Sequence, residues 1–173
     1  MGTAGEGLKL DGLVSRVLIG RSPKRTLIRM AIWVVAIVLI SKYIILPIRV
    51  EGISMLPTYR QNQVAFVNCL AYKFTPPKRG DVVAIRLAGR HVMYCKRIIA
   101  LPGETIAFHE GRVLINGQVL EEPYLKQPCN WERAPEIVGP DEYYVVGDNR
   151  TMDFEQHTQG RAEVNRIVGK LFL

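Results

Sequence analysis

Residues 92–120 read VMYCKRIIALPGETIAFHEGRVLINGQVL, and this stretch decides the fold class. The runs 92–99, 105–109, 112–115 and 118–120 are short, rich in Val, Ile and Tyr, and bounded by turn residues, which is the pattern of strands. Glu110-Gly111 and Asn116-Gly117 mark tight turns between them. The second is the Asn-Gly pair favoured in two-residue hairpins, where both central residues need positive φ. Working outward, 63–67, 81–87 and 143–146 repeat the pattern, and no long amphipathic helix interrupts it. The expected fold is mainly β: an antiparallel, partly closed β-domain of six or seven strands. Residues 123–140 hold four prolines and no period, so a surface loop is expected there.

Further upstream the composition changes. Met30 to Leu46 reads MAIWVVAIVLISKYIIL, apolar apart from Ser41 and Lys42, and Leu27 and Ile28 extend it. A helix needs about 20 apolar residues to cross about 30 Å of hydrocarbon, so one N-terminal transmembrane helix is expected, with Lys42 reaching the headgroups through its long stem. Arg16, Arg21, Lys24, Arg25 and Arg29 all precede this segment. The positive-inside bias then leaves the N-terminus in the cytoplasm and everything after Pro47 outside. The segment ends SKYIILPIRV, without the small-residue site of a cleaved leader, and is read as a permanent anchor. The expected organisation is a basic tail over 1–26, an anchor over 27–47 and one extracytoplasmic β-domain over 48–173, since 173 residues leave room for a single core.

The net charge of +7 suggests a nucleic-acid partner until it is located. Residues 1–29 carry six Lys or Arg against Glu6 and Asp11, while 48–173 are nearly balanced. The basic excess belongs to the tail, and no nucleic-acid partner is expected. Cys69, Cys95 and Cys129 are odd in number and imply no disulfide framework. Neither they nor His91, His109 and His157 have metal-ligand spacing, so no metal or other cofactor is expected.

One candidate for chemistry stands out. Ser54, in VEGISMLPT just past the anchor, is the only serine in residues 48–173. A serine hydroxyl becomes a nucleophile when a neighbouring base takes its proton. Lys96 lies in YCKRIIALPGE, on an expected strand beside Ile98, Ile99 and Leu101. If that strand faces inward, desolvation lowers the lysine's pKa toward the range a general base requires. No histidine is paired with Ser54 and an acid in a recognisable setting.

The order of VEGISMLPT, KRGDVVAI at 78–85, YCKRIIALPGE, HEGRVLINGQVLEEPYL, YYVVGDNR and IVGK at 167–170 resembles the type I signal peptidase family over residues 48–170. The resemblance implies Ser54 as nucleophile, Lys96 as its base, and a β catalytic core lying against the outer leaflet of the cell membrane. It also implies a serine endopeptidase cutting exported preproteins after a small-x-small sequence, with membrane lipid as its other partner. Two positions depart from the family pattern. Gly52 stands where some members have a serine that helps bind the oxyanion, which leaves the Ser54 backbone N–H as the expected donor; Gly52 can equally serve a tight turn. Asp153 stands where the family usually has a serine after GDNR. Either Asp153 points away from Lys96, or a hydroxyl such as Thr151 or Thr158 replaces that serine. Asp148 and Arg150, in GDNR, are expected to brace the site, with a plain surface turn open for Arg150. The alternatives are a relative dedicated to one substrate, such as a conjugative pilin, and an inactive anchored domain that binds exported proteins.

Overall fold

The computed structural model describes residues 23–88, 92–127, 129–156 and 160–172. The tail up to residue 22, His91, His157, Thr158 and the side chain of Lys42 lie outside them. The chain divides into two compact units between Tyr43 and Ile44.

Among its described residues the first is a helix, α1, Pro23–Ile44, which ends at the division. Its apolar side chains are exposed all round, among them Leu27, Ile32, Trp33, Val35, Val38 and Ile40. Counted over the described residues, no helix has the length and apolarity of a full membrane span; Lys24, Arg25 and Arg29 occupy the first two turns of α1.

The second unit is mainly β, and every strand pair in it is antiparallel. Eleven strands are found among the described residues: β1 Ile45–Arg49, β2 Val64–Asn68, β3 Val82–Ala88, β4 Val92–Ala100, β5 Thr105–His109, β6 Arg112–Ile115, β7 Gln118–Val119, β8 Arg133–Ile137, β9 Glu142–Val146, β10 Gly160–Glu163 and β11 Ile167–Phe172. Seven form a sheet in the order β1-β2-β11-β3-β4-β9-β10, and four form a second in the order β7-β6-β5-β8.

Alternation builds the core. In β5 and β6, Ile106, Phe108, Val113 and Ile115 turn inward and meet Trp131, Tyr144 and Val146. Each such aliphatic or aromatic side chain contributes about 1.5–3 kcal/mol on full burial. β4 and β9 serve two cores at once, because Ile99 and Val146 pack on the second sheet while Ile98 and Val145 pack with Val83 and Ile85. Both expected turns have positive φ at both central residues: 49° and 71° at Glu110-Gly111, 52° and 79° at Asn116-Gly117.

The expected loop over 123–140 is corrected at Arg133–Ile137, which is β8 and pairs with β5. Pro135 misled the reading; β8 is an edge strand, where a proline's missing N–H breaks no ladder. The same applies to Pro47 in β1, an edge strand whose first three residues, 45–47, are expected to end the anchor. β10 and β11 were not anticipated either. β11 lies between β2 and β3, in the middle of the larger sheet.

Candidate active site

The loop between β1 and β2 carries Ser54, and its shape is set by short-range bonds. Asn62 N–H donates to Val50 O at 2.7 Å, Leu56 N–H to Ile53 O at 3.1 Å and Tyr59 N–H to Met55 O at 2.9 Å. Met55 and Tyr59 are buried and pin the loop to the core of Val50, Ala65, Val67 and Val82. Gly52 has φ 84°, with no atom within 4 Å of the position a Cβ would take. Its glycine is therefore required by backbone conformation rather than by space, in keeping with the turn alternative. Ser54, between these anchors, is half-buried.

β4 brings Lys96 to it. Lys96 Nζ donates to Ser54 Oγ at 2.7 Å, although 42 residues separate them. Lys96 is 2% exposed and forms no salt bridge among the described residues. Burial is the main influence on its ammonium and lowers its pKa from 10.5 to about 8, while Cys95 and Asp148 push the other way. Neither opposes it strongly near neutral pH. Burial raises the Cys95 thiol to about 11, so it is uncharged there, and the Asp148 carboxylate is matched by Arg97. A deprotonated Lys96 has a lone pair directed along the same 2.7 Å line, able to accept the Ser54 proton.

The turn after β9 holds both residues in register. Asn149 N–H donates to Ser54 O at 2.9 Å, and Asn149 Nδ2 donates to Ile53 O at 3.1 Å. Asp148 is buried and accepts from Arg97 Nε at 2.8 Å, from Arg97 Nη2 at 2.6 Å and from Thr58 Oγ1. Arg150 is 2% exposed, so it is no plain surface residue. Its Nε donates to Gly147 O at 3.0 Å, and its two terminal nitrogens donate to the Glu122 carboxylate at 2.9 and 2.5 Å. The Arg97 guanidinium also stacks 3.9 Å over the Tyr124 ring. The two arginines thus tie the turn to the segment after β7.

Asp153 lies elsewhere: it is exposed and accepts from Gln156 Nε2 at 3.1 Å. The Thr151 hydroxyl donates to Asn149 Oδ1 at 2.7 Å. Neither meets Lys96 among the described contacts. Sequence reading missed Arg97, Thr58, Asn149, Glu122 and Tyr124. Arg97 and Asn149 stand inside the quoted blocks CKR and GDNR, and Glu122 and Tyr124 inside EEPY, but nothing in the spacing tells which of these residues turn inward.

A cleft of about 470 Å³ opens beside Ser54. One wall is Leu46 to Glu51, along and just after β1, and the other is Met93, Tyr94 and Cys95 of β4. β1 is an edge of its sheet, and β9 stops pairing with β4 at Arg97. An extended peptide lying between these walls would meet backbone hydrogen-bonding groups on both sides. Among the described residues the Ser54 N–H donates to no backbone acceptor.

Known proteins similar to the chain share one description. A signal peptidase I of Leptolyngbya laminosa is 38% identical over 125 residues, covering 68% of this chain and 62% of that protein. A probable signal peptidase I-2 of Synechocystis sp. is 32% identical over 126 residues, covering 69% and 58%. This chain therefore spans about three fifths of the length of those two relatives. Signal peptidase I V of Bacillus subtilis is 29% identical over 150 residues, covering 79% and 89%. A crystal structure of a signal peptidase I from Enterococcus faecalis V583 aligns at 26% identity with a TM-score of 0.46, covering 57% of this chain and 98% of that one. The family described as signal peptidase, peptidase S26, matches residues 24–173, and the chain belongs to it.

Proposed function

We propose that the chain is a membrane-anchored signal peptidase, a serine endopeptidase that removes signal peptides from exported preproteins with Ser54 as nucleophile and Lys96 as general base. The observation that carries this reading is the 2.7 Å approach of a lysine amine, 2% exposed and without a salt bridge among the described residues, to the hydroxyl of Ser54. The substrate lies extended in the cleft with its small-x-small end at Ser54. Lys96 takes the hydroxyl proton as Ser54 Oγ attacks the scissile carbonyl. The Ser54 N–H faces the resulting oxyanion, and one such donor is typically worth about 2.7–4 kcal/mol in the transition state. Lys96 then returns the proton to the leaving amine as the C–N bond breaks. Water, deprotonated by the same amine, hydrolyses the Ser54 ester and frees the signal peptide.

The anchor in this reading is α1. Leu27 to Ile44 would extend about 27 Å at 1.5 Å per residue, close to the hydrocarbon thickness of a thin bilayer. Exposed apolar side chains around its circumference suit lipid and no aqueous surface. Lys24, Arg25 and Arg29 at its start belong in headgroups on the cytoplasmic side of the cell membrane. The β-domain then stands outside, tethered where a signal peptide's own apolar segment is held.

Detergent-solubilised full-length protein should cleave a peptide ending in a small-x-small signal sequence. Ser54→Ala and Lys96→Arg should both fold and both be inactive, the latter because a guanidinium stays protonated at any usable pH. Cleavage by either variant at the wild-type rate would remove that residue from the mechanism.

A further inference from the structure

The cleft described above ends at Ser54 and Met55, yet the next two residues of the chain, Leu56 and Pro57, line a different hollow. This second hollow has a volume of about 270 Å³ and is completed by Asn149, Thr151, Lys126 and Gln127. Lys126 and Gln127 also line a third, of about 340 Å³, which continues past Leu125 to the β6–β7 hairpin. The two hollows thus adjoin at Lys126 and Gln127, one beginning two residues beyond the nucleophile and the other lying along the segment after β7, and an extended chain leaving Ser54 has them as a groove.

An endopeptidase substrate has chain on both sides of the bond that is cut. On the peptidase reading, which this inference rests on, the first cleft takes the side that stays on Ser54 as the ester. We propose that the second groove takes the leaving side, the first residues of the exported protein in extended form, and that Lys126 favours an acidic residue there. The charges of the wall decide the preference. Asp148 is taken up by Arg97 and Arg150 by Glu122, and the Thr151 hydroxyl is directed to Asn149. Lys126 is exposed and forms no salt bridge among the described residues. Farther along, Arg112 and Glu121 are both exposed and offset each other. Of the charges lining the nearer hollow, Lys126 is therefore the one that no salt bridge among the described residues offsets. The groove is joined to the nucleophile loop through Asn149, which bonds both Ser54 O and Ile53 O, so filling it presses on the elements that aim Ser54.

The test uses full-length protein in detergent and peptides with one signal-side sequence. Their leaving sides carry Glu, Gln or Lys at the second to fourth positions after the bond, or stop after the first residue. Truncation should lower kcat/KM roughly tenfold, since binding energy away from the bond is spent in the transition state. Glu should be preferred to Lys by up to about fivefold, the ceiling for a solvent-exposed ion pair, and less so in high salt. Lys126→Glu, a surface change that leaves the dyad intact, should reverse that order while cleaving the truncated peptide at the wild-type rate. Equal cleavage of all four peptides, or a Glu preference unchanged in Lys126→Glu, would overturn the leaving-side groove and leave the peptidase reading standing. No cleavage of any peptide would overturn both.

Discussion

On the proposed mechanism, Lys96 concentrates the conflict between stability and activity in one side chain. Burial has lowered its pKa from 10.5 to about 8, so the unfolded chain binds this proton more tightly than the folded one. The cost to folding is fully present below about pH 8, falls as pH rises from 8 to 10.5, and is gone above that. Lys96→Met should therefore raise stability at pH 7 by up to roughly 3 kcal/mol, at about 1.4 kcal/mol per pKa unit, while abolishing activity. Denaturant melts at pH 7 and pH 10.5 check this, the gain being expected only at the lower pH. Two carboxylates separate the electrostatic influences on the same lysine. Asp148→Asn removes an anion that supports the ammonium and leaves Arg97 unmatched, so the acid limb of the pH–rate profile should move to lower pH. It should also cost about 3–5 kcal/mol, as removing one partner of a buried ion pair does. Asp153 is exposed and bonded to Gln156, and Asp153→Ser should leave the limb in place. An equal shift in both variants would contradict this geometry.

At the scale of elements, the central hairpins were legible because alternation and turn chemistry agree there: the runs 105–109 and 112–115 are the observed strands residue for residue. The position of Lys96 on β4 was legible for the same reason, since Ile98 and Ile99 flank it in an apolar run. What was lost was lost to proline and to composition. Pro135 and Pro47 hid two edge strands, and GRAE in β10 has no hydrophobic pattern of its own, only Ala162 being buried. The network around Asp148 was legible as a motif and not as a set of contacts, because pairing Arg150 with Glu122 depends on how the second sheet meets the turn. β11 shows what a local reading leaves out. In IVGKLF, Gly169 looks like a break, yet a Cβ there would lie 2.3 Å from Asn68 O on β2. Glycine is what lets β11 pack between β2 and β3. Gly169→Ala should destabilise the domain by about 1–3 kcal/mol through this overlap, seen as a lower denaturant midpoint with unchanged slope, whereas Gly117→Ala creates no such overlap and acts through φ alone.

For the whole molecule, the chain divides at Tyr43–Ile44 into a unit whose described residues form the apolar helix α1 and a β unit that carries Ser54, Lys96 and the residues bonded to them. On the proposed reading, chemistry and location belong to different parts of the chain, and they can be tested apart. Residues 1–29 hold six basic side chains against two acidic ones, while residues 48–173 hold sixteen against fourteen. Only the first set is biased enough to fix an orientation, and all of it lies before the apolar part of α1, three of the six in the helix's first two turns. In cells expressing the full-length protein, protease added outside intact spheroplasts should digest the β unit and spare an epitope on the N-terminus, and lysis should expose both. Replacing Arg16, Arg21, Lys24, Arg25 and Arg29 with Gln while adding basic residues after Pro47 should reverse that pattern. The reversed protein should lose processing of exported substrates in cells yet cleave peptide normally once solubilised, because the dyad is untouched. Protection of the β unit in the unaltered protein would refute the orientation and, with it, the export role, while leaving the chemistry of Ser54 and Lys96 to stand on the peptide assay.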